Sequence, residues 1–379
     1  MTCIFDLKFM AAAIRLSHRH LGLTGENPSV GALIVKYDNT GVGRIVGHGV
    51  TGIDGRPHAE SQALKMAGAM AYGSTAYITL EPCSHYGATP PCSLALIKAG
   101  VKRVVVALKD PDVRVAGRGI AQLQEAGIEV KIGVLPKSAY EVLSSYFMMH
   151  YHKRAELTLK MALSLEKAIG QVGHGKVDIS NAVSAGQTHI LRSQSNAIMI
   201  GVETAIADDP QLTCRLAGLG NRSPTRVILD PRLRLPAETQ LVQTAHKVPS
   251  WIFCAQPYYN ARKAQLLRGY GVKIFALEGN TLSLSPAQIL SLLYTQKIYR
   301  VLLEGGATTA QHFLQAGLVD RLVLINTPKK LKGALIAAPD FPAYTEAYQE
   351  ITTRYLGQDC WREWRQNYVY GHHNRYWFD

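Results

Sequence analysis

Short apolar runs rich in β-branched residues alternate with helical patterns along most of this chain. In the first 145 residues such runs predict five strands, at 31–37, 44–50, 75–80, 101–108 and 128–134. Helical patterns between them predict helices at 59–70, 91–98 and 119–126. Strands and helices that alternate at this spacing favour an α/β layered domain with a mostly parallel sheet.

The same alternation resumes in the second half of the chain. After a helical pattern at 137–154, strand-like runs occupy 156–164, 197–202, 225–230, 250–255, 272–277, 300–306 and 321–327. Helices are predicted at 184–194, 285–297 and 308–316. A chain of 379 residues suits two domains, each large enough to bury its own core. We therefore predict one α/β domain over 1–150 and a second over 151–379.

The formal net charge is +13, and most of the excess lies beyond residue 150. A positive field suits nucleic acid, an anionic membrane or a small phosphorylated ligand equally well, so charge alone does not choose among them. Near the start of the chain, Asp6, Lys8 and Arg15 interrupt the apolar stretch that a signal peptide or a membrane span requires. We expect a cytoplasmic protein, whose six scattered cysteines do not form a disulfide framework.

Two cysteines follow a His-Ala-Glu, and each stands directly after a proline. His58 and Glu60 are followed by Cys83 in Pro-Cys and by Cys92 in a second Pro-Cys. Histidine and thiolates suit Zn²⁺, and three protein ligands leave a fourth position open for water, which is typical of catalytic sites. A helix that begins at His58 would point Glu60 in another direction, where it can move protons. The order H-x-E, P-C, C is the signature of zinc nucleobase deaminases.

Simpler interpretations exist for each of these residues taken alone. A cysteine can be a small buried residue, and a histidine or glutamate can lie on a solvated loop. A structural zinc site would need a fourth protein ligand, for which His85 is the only nearby candidate.

Eight residues separate the two cysteines in "PCSHYGATPPC", whereas common deaminases of this signature have two. This spacing resembles the bifunctional riboflavin-biosynthesis family, in which a pyrimidine deaminase is joined to a reductase. Further matching segments are "NPSVGALIV" (27–35), "GRPHAESQAL" (55–64), "TLEPCSHYGATPPC" (79–92) and "DPDVRVAGRGI" (110–120).

The resemblance implies a cytidine-deaminase-like α/β/α layer domain in the first half. It implies that His58, Cys83 and Cys92 bind zinc and that Glu60 shuttles protons. It also implies that Asn27 holds the pyrimidine edge, although a residue before a proline is commonly just a turn residue.

The second half is similar to the family's reductase domain, which has a dihydrofolate-reductase-like α/β fold and uses NADPH. The closest segments are 191–215 and 302–322, the latter beginning "LLEGG". Glycine lets backbone N–H groups approach phosphates, and a helix N-terminus favours anions, although a Gly-Gly pair alone is more often an ordinary turn.

By this resemblance the predicted cofactor contacts are Ala162, Thr204, Asp208, Gly306, Ala307, Thr308, Thr309, Ala310, Gln311 and His312. The predicted substrate contacts are Arg192, Leu212, Arg215 and Glu304. Arginine forks match phosphate oxygens, but either arginine alone could equally be a solvated surface charge.

The chain departs from the family pattern around the predicted cofactor site. Glu166 and Lys167 stand where the family has Asp-Gly, and Lys176 and Asp178 stand in a stretch that the family reads Ser-x-Trp-Ile-Thr. The segment 328–333 reads "PKKLKG" in place of Pro-Lys-Leu-Leu-Gly. These changes alter the charge near the cofactor, although Lys160, Arg192, Asp208 and Glu304 are kept.

Together these observations predict a bifunctional enzyme of riboflavin biosynthesis. It would deaminate a phosphoribosyl-pyrimidine with Zn²⁺ and then reduce the ribosyl chain to ribityl with NADPH. We expect no nucleic-acid or membrane partner and leave self-association open. The alternatives are a deaminase with an impaired reductase half, a nucleic-acid base deaminase, and a non-catalytic zinc-stabilised nucleic-acid-binding module. The tail 360–379 is expected to be a closing strand and an amphipathic end rather than a base-stacking surface.

Overall fold

The structure is a computed structural model, and it describes residues 4–87, 90–278 and 284–367. The chain forms two compact units, the first extending to Lys153 and the second beginning at Arg154. No helix in the described ranges is both long and apolar enough to cross a lipid bilayer.

The first unit is a five-stranded sheet with helices on both sides. Its elements in chain order are α1 (Ile4–Ser17), β1 (Gly31–Tyr37), β2 (Gly43–Val50), α2 (Ala59–Ala67), β3 (Thr75–Ile78), α3 (Cys92–Lys98), β4 (Arg103–Val106), α4 (Arg118–Glu125), β5 (Glu129–Ile132) and α5 (Pro136–His152). The strand order is β2-β1-β3-β4-β5. Two groups of helices pack among themselves, α1 with α5 and α2 with α3 and α4, so the unit has α/β/α layers.

The prediction of a mostly parallel sheet is only half correct for the first unit. Strand β1 runs antiparallel to both β2 and β3, while β3, β4 and β5 are mutually parallel. The physical reason is the short connection between β1 and β2, which allows a hairpin but not a crossover. The three parallel strands also end earlier than predicted, because their pairing covers four residues each.

Close packing of α2 on β2 fixes where the His-Ala-Glu segment lies. A Cβ on Gly47 or Gly49 would lie 2.1 Å from the carbonyl oxygen of Ala63 or Ala59, respectively. Glycine at these two strand positions therefore lets the helix backbone touch the sheet. As a result, His58 at the start of α2 is held against the sheet.

The second unit is built on a nine-stranded sheet. Its elements in chain order are β6 (Glu156–Leu163), β7 (Ala168–Gln171), α6 (Ala182–Ser193), β8 (Ala197–Gly201), α7 (Val202–Asp208), β9 (Thr225–Leu229), α8 (Gln240–Gln243), β10 (Ser250–Ala255), α9 (Arg262–Gly269), β11 (Lys273–Leu277), α10 (Pro286–Thr295), β12 (Arg300–Glu304), α11 (Ala307–Gln315), β13 (Arg321–Asn326), β14 (Leu335–Ala337), α12 (Pro342–Thr345), β15 (Tyr348–Leu356) and β16 (Asp359–Gln366).

The order of this sheet is β11-β10-β9-β8-β12-β6-β13-β16-β15. The first seven strands in this order, from β11 to β13, are parallel to one another, and the hairpin β15–β16 is added antiparallel to β13 at one edge. Strands β7 and β14 form a separate two-stranded sheet. The parallel strands end at one edge, and such an edge is where open α/β sheets bind ligands. The expected closing strand is β16, and the predicted end of the tail at 368–379 lies outside the described residues.

Candidate active sites

Three side chains with metal-binding atoms converge in the first unit. Nδ1 of His58 lies 3.6 Å from Sγ of Cys83 and 3.4 Å from Sγ of Cys92. The three donor atoms all lie within 4.8 Å of one another. His85, the candidate fourth ligand, is exposed and is not part of this cluster.

The donor set fits Zn²⁺ in both chemistry and spacing. Bonds of about 2.0–2.1 Å to nitrogen and about 2.3 Å to sulfur in a tetrahedral arrangement place each N and S roughly 3.5 Å apart. The two N···S distances of 3.6 and 3.4 Å agree with that value. These three residues would hold the ion and leave one coordination position for a water molecule.

Local structure brings the two cysteines together across eight intervening residues. Cys83 follows the extended segment that leaves β3, and Cys92 is the first residue of α3. The backbone N–H of Cys92 donates to Sγ of Cys83 at 3.3 Å, and the N–H of Ser93 donates to the Cys83 carbonyl at 3.2 Å. The start of α3 is therefore bonded to the loop that carries the other thiol.

The two thiols differ in their proton affinity. A hydrogen bond with Cys92 lowers the pKa of Cys83 to about 4, and His58 adds to the effect. The same pairing, together with burial, raises the pKa of Cys92. Cys83 is the thiolate of the pair, so a dication bound between them would release the proton that Cys92 holds. The described cysteines beyond this pair, Cys214, Cys254 and Cys360, are also free of disulfides.

Glu60 lies in the first turn of α2, two residues after His58, and is 5% exposed. Burial raises the pKa of its carboxyl, and the charge of His58 partly opposes the shift. A buried carboxyl with a raised pKa can both accept a proton from a neighbouring water and return it.

Asn27 lies beside the segment that leads to His58. Its side chain packs against Gly55, where φ is 90° and a Cβ would approach the Asn27 amide nitrogen to 2.1 Å. Its carbonyl accepts a hydrogen bond from the Thr24 hydroxyl at 2.7 Å, which is a turn contact. Asn27 thus has the turn geometry expected of a residue before proline. The glycine that its side chain contacts, Gly55, stands three residues before His58.

A buried charged cluster lies at the carboxyl ends of β6 and β12 in the second unit. Nε and Nη2 of Arg192 donate to the two oxygens of Glu304 at 2.7 and 2.9 Å, and Nζ of Lys160 lies 4.0 Å from Glu304. Burial alone would raise the pKa of Glu304, but the two cations hold it below its usual value. Burial lowers the pKa of Lys160. The cluster has an excess positive charge, which suits a phosphorylated ligand.

The loop that follows α7 is held against the same cluster. Nη1 of Arg192 donates to the carbonyl of Thr213 at 3.1 Å, and Nδ1 of His189 lies 3.3 Å from the backbone nitrogen of Arg215. Leu212 is buried and has a φ of 52°, whereas the Arg215 side chain is exposed. The predicted substrate residues of this unit therefore gather around α6 and the end of β12.

The Gly305–Gly306 turn connects β12 to α11. Its φ angles are 121° and 63°, and a Cβ at either position would lie 3.1 Å from the side chain of Thr204 on α7. Bare backbone next to a helix start is suited to phosphate. In the predicted cofactor segment that follows, Ala310 is fully buried, so only its backbone could meet a ligand.

The remaining predicted cofactor residues border this turn or lie in the neighbouring strand. Ala162 lies in β6 opposite Ile325 and is half-buried, and Asp208 is the last residue of α7. In α11, the amide nitrogen of Gln311 donates to the hydroxyl of Tyr344 at 2.5 Å. Thr308 and His312 are exposed.

The exchange of Asp-Gly for Glu166 and Lys167 preserves a turn between β6 and β7. Oε2 of Glu166 accepts hydrogen bonds from the N–H of Leu331 at 3.1 Å and from the hydroxyl of Ser164 at 2.9 Å, and these bonds lower its pKa. Lys167 has a φ of 63°, in the left-handed region, and its Nζ donates to Asn326 at 3.1 Å. Both side chains are thus bonded within the segments that flank the turn.

Sequence reasoning gave no role to Glu81, which stands two residues before Cys83. Its buried carboxylate accepts backbone hydrogen bonds from the loop that leads into α4. The signal available in the sequence was its place immediately before the first Pro-Cys.

Two protein-family models match the chain. The cytidine and deoxycytidylate deaminase zinc-binding region matches residues 4–108, and the RibD C-terminal domain matches residues 155–343. Together with the layers and sheet orders described above, these matches confirm the predicted fold classes of both halves.

Curated relatives match both halves in one alignment. The riboflavin biosynthesis protein RibD of Aquifex aeolicus is 38% identical over 324 residues, which cover 86% of this chain and 87% of that protein. The RibD of Bacillus amyloliquefaciens is 40% identical over 328 residues, covering 86% and 85%.

Solved structures agree over nearly the whole chain. The RibD of Acinetobacter baumannii has a TM-score of 0.80 at 34% identity, and it covers 95% of this chain and 98% of its own. A diaminohydroxyphosphoribosylaminopyrimidine deaminase/5-amino-6-(5-phosphoribosylamino)uracil reductase of Thermotoga maritima has a TM-score of 0.82 at 28% identity, with the same coverage.

Proposed function

The chain belongs to the RibD family of riboflavin biosynthesis proteins, and from this premise we propose that it carries out two successive reactions on a phosphoribosylated pyrimidine. The first unit removes an amino group from diaminohydroxyphosphoribosylaminopyrimidine by hydrolysis. The second reduces the ribosyl chain of the product with NADPH. The proposal rests on the convergence of His58, Cys83 and Cys92 beside a buried Glu60, in a chain that aligns with RibD over 86% of its length.

In the deaminase reaction, the chain's residues hold the metal and move protons. A zinc ion bound by His58, Cys83 and Cys92 would supply a water molecule that is acidic near neutral pH. With the metal bound, the Glu60 carboxylate would accept one proton from the attacking water and pass it to the ring nitrogen, while the water oxygen bonds to the carbon that carries the amino group. The second proton of that water would then go to the amino group, which leaves as ammonia as the carbon–oxygen double bond forms. Asn27 lies at the same end of the unit and can hold the pyrimidine edge through its amide.

In the reductase reaction, the charged cluster receives the phosphorylated substrate. Bound NADPH would supply a hydride to C1 of the ribose. Lys160, with a pKa lowered by burial, donates a proton to the ring oxygen as the C1–O bond breaks and the exocyclic nitrogen forms a double bond to C1. Addition of the hydride that bound NADPH would supply to C1 would give the ribityl chain. Arg192 and Glu304 hold each other beside Lys160.

The excess of positive charge is distributed along the chain without a basic run, and this suits a phosphoribosyl substrate better than a polymer. The requirement for NADPH fits the cytoplasmic location expected from the sequence. We therefore propose a small-molecule substrate rather than nucleic acid or a membrane surface.

Coupled turnover tests the proposal. Purified protein supplied with the phosphoribosyl diaminopyrimidine should release ammonia, and added NADPH should then be oxidised in proportion to the deaminated product. Glu60→Gln should reduce ammonia release by about 10²–10⁴-fold with unchanged zinc content, because it removes only proton transfer. The same variant should still oxidise NADPH when it is given the deaminated intermediate, which serves as the internal control.

Each alternative has its own outcome in this assay. Ammonia release without NADPH oxidation would reduce the activity to a deaminase. Zinc content that is unchanged in His58→Ala would remove that ligand. Salt-sensitive RNA binding that survives Glu60→Gln, without turnover of the nucleotide, would indicate the non-catalytic RNA-binding alternative.

A further inference from the structure

A charged loop borders the crevice at the carboxyl edge of the second sheet. This loop, residues 172–180, joins β7 to α6. A Cβ on Gly175 would lie 3.2 Å from the carbonyl oxygen of Ala207 at the end of α7. From the segment after β13, Nζ of Lys329 donates to the backbone oxygen of Asp178. The loop is therefore fixed at the crevice rim on two sides.

Two carboxylates and one ammonium group meet at this rim. Nζ of Lys176 lies 2.5 Å from Oδ1 of Asp178, and both side chains are more than half exposed. Burial raises the pKa of Asp208, and the positive charge of Lys176 partly opposes this shift. Because Gly175 approaches Ala207, the residues that follow them, Lys176 and Asp208, lie near each other, and Lys176 also pairs with Asp178.

The position of Asp208 links this group to the Gly305–Gly306 turn. Thr204, whose side chain lies against that turn, stands four residues before Asp208 on α7. Residues four apart share one face of a helix and are separated by about 6 Å along its axis. Asp208 therefore lies about one helical turn from the backbone that is suited to phosphate, and the Lys176–Asp178 pair belongs to the loop that packs on this end of α7.

Two uncompensated carboxylates at that distance would repel a dinucleotide, which carries several negative charges. We propose that Lys176 is a charge-compensating residue that neutralises Asp178 and Asp208 and so allows this rim to accept NADPH. The inference rests on the proposed reductase function and assigns to Lys176 a part in cofactor affinity. It acts through the two carboxylates and is in that sense a positioning residue.

The dissociation constant of NADPH, followed by nicotinamide fluorescence with the full chain, measures this effect. Lys176→Met should weaken binding by about threefold to tenfold, as expected when one unit charge is removed near an anionic ligand at the protein surface. Asp178→Asn should tighten binding, and the double variant should return to within about twofold of the wild type, because the two charges offset each other. Lys176→Arg should bind as the wild type does.

Two readouts separate charge compensation from a structural role. The difference between Lys176→Met and the wild type should shrink at about 0.5 M salt, where the screening length is only a few ångströms. The kcat at saturating NADPH should change less than the dissociation constant. Lys137→Met removes one positive charge from an exposed position in the first unit, and it is the matched control for net charge. All variants should release ammonia at the wild-type rate.

The outcomes distinguish this inference from the function on which it rests. A wild-type protein that neither binds nor oxidises NADPH would overturn the reductase proposal, and this inference with it. A wild type that binds NADPH together with an unaffected Lys176→Met would overturn the inference alone. A double variant as weak as Lys176→Met would also overturn it, because Lys176 would then contact the cofactor directly rather than through the carboxylates.

Discussion

Substitution of Glu81 by glutamine tests how the zinc-ligand loop is held. Glu81 is 3% exposed, and its carboxylate accepts four backbone hydrogen bonds. The donors are the N–H groups of Asp110 at 3.2 Å and Gly117 at 3.0 Å on Oε2, and those of Gly119 at 3.0 Å and Ile120 at 3.3 Å on Oε1. One side chain therefore connects the residue before Pro82-Cys83 to both ends of the loop that leads into α4 and to the first turn of that helix.

The magnitude follows from which bonds a glutamine can keep. Its single carbonyl oxygen can satisfy one pair of N–H groups, while its amide nitrogen faces the other pair and leaves both donors without an acceptor. Hydrogen bonds to a charged group contribute about 1.5–3 kcal/mol each, so Glu81→Gln should cost about 3–5 kcal/mol after some relaxation. That is a large part of the stability of an ordinary domain.

Hydrogen exchange and metal content report this change in the first unit. Peptides that span 110–120 should exchange faster in Glu81→Gln, and zinc content should fall when the metal is limiting, because Cys83 is only two residues away. NADPH oxidation of separately supplied deaminated product should be unchanged. Glu125→Gln, at an exposed position at the end of α4, is the matched control. If exchange over 110–120 and the zinc content both matched the wild type, the carboxylate would not be what holds the loop.

Two further substitutions each probe one buried carboxyl group, the first in the first unit and the second in the second unit. Burial raises the pKa of Asp110 to about 7, so its ionisation destabilises the fold as pH rises from about 4 to 7. One oxygen of Asp110, Oδ1, accepts hydrogen bonds both from the Tyr146 hydroxyl and from the N–H of Asp112, so Asp110→Asn keeps both bonds. The substitution should stabilise the first unit by about 2–4 kcal/mol at pH 8 but little at pH 4.5. Equal shifts of the thermal midpoint at both pH values would contradict this reasoning. Asp320 forms a buried bidentate ion pair with Arg154 at 2.7 and 2.8 Å. Asp320→Asn should lower the free energy of unfolding by about 3–5 kcal/mol, because it removes the anionic partner of a buried arginine; urea unfolding followed by tryptophan fluorescence measures this loss. A loss below about 1 kcal/mol would argue against a desolvated pair.

The strands that the sequence predicted best are those whose apolar runs end at turn residues. Strand β1 has the predicted bounds, Gly31–Tyr37, because a tight turn follows it. The run predicted at 75–80 pairs only over Thr75–Ile78, and its last residues continue as extended chain toward the zinc ligands. A run of β-branched residues indicates extended backbone, whereas the length of a strand depends on the partner strand.

Elements without a strong apolar pattern were not predicted. Strand β15 has a mostly exposed burial pattern because it lies at the sheet edge, and so alternation gives no signal. Strand β14 and its partner β7 are three and four residues long and pair only with each other. Their existence depends on contacts between segments more than 160 residues apart, which local patterns do not contain.

The two candidate sites differ in how far the sequence could define them. His58, Cys83 and Cys92 lie within 35 residues, and histidine and cysteine are typical zinc ligands, so residue types and spacing alone predict a metal site. Arg192 and Glu304 are 112 residues apart and carry side chains that are common on any surface. Only the resemblance to a family placed them together, because β12 and α6 become neighbours through the sheet order.

The loop bonded to Glu81 shows why some functional contacts leave almost no trace in a sequence. Its four donors are backbone N–H groups, which every residue except proline carries, so the identity of the donor residues is free to vary. The trace that remains is steric. Gly117 has a φ of 78°, and a Cβ on Gly119 would lie 2.0 Å from the carbonyl oxygen of Pro82. A Gly-x-Gly pair some 35 residues after Glu-Pro-Cys is therefore the sequence feature that records this close approach, and Gly119→Ala should displace the loop even though no side chain of the site is altered.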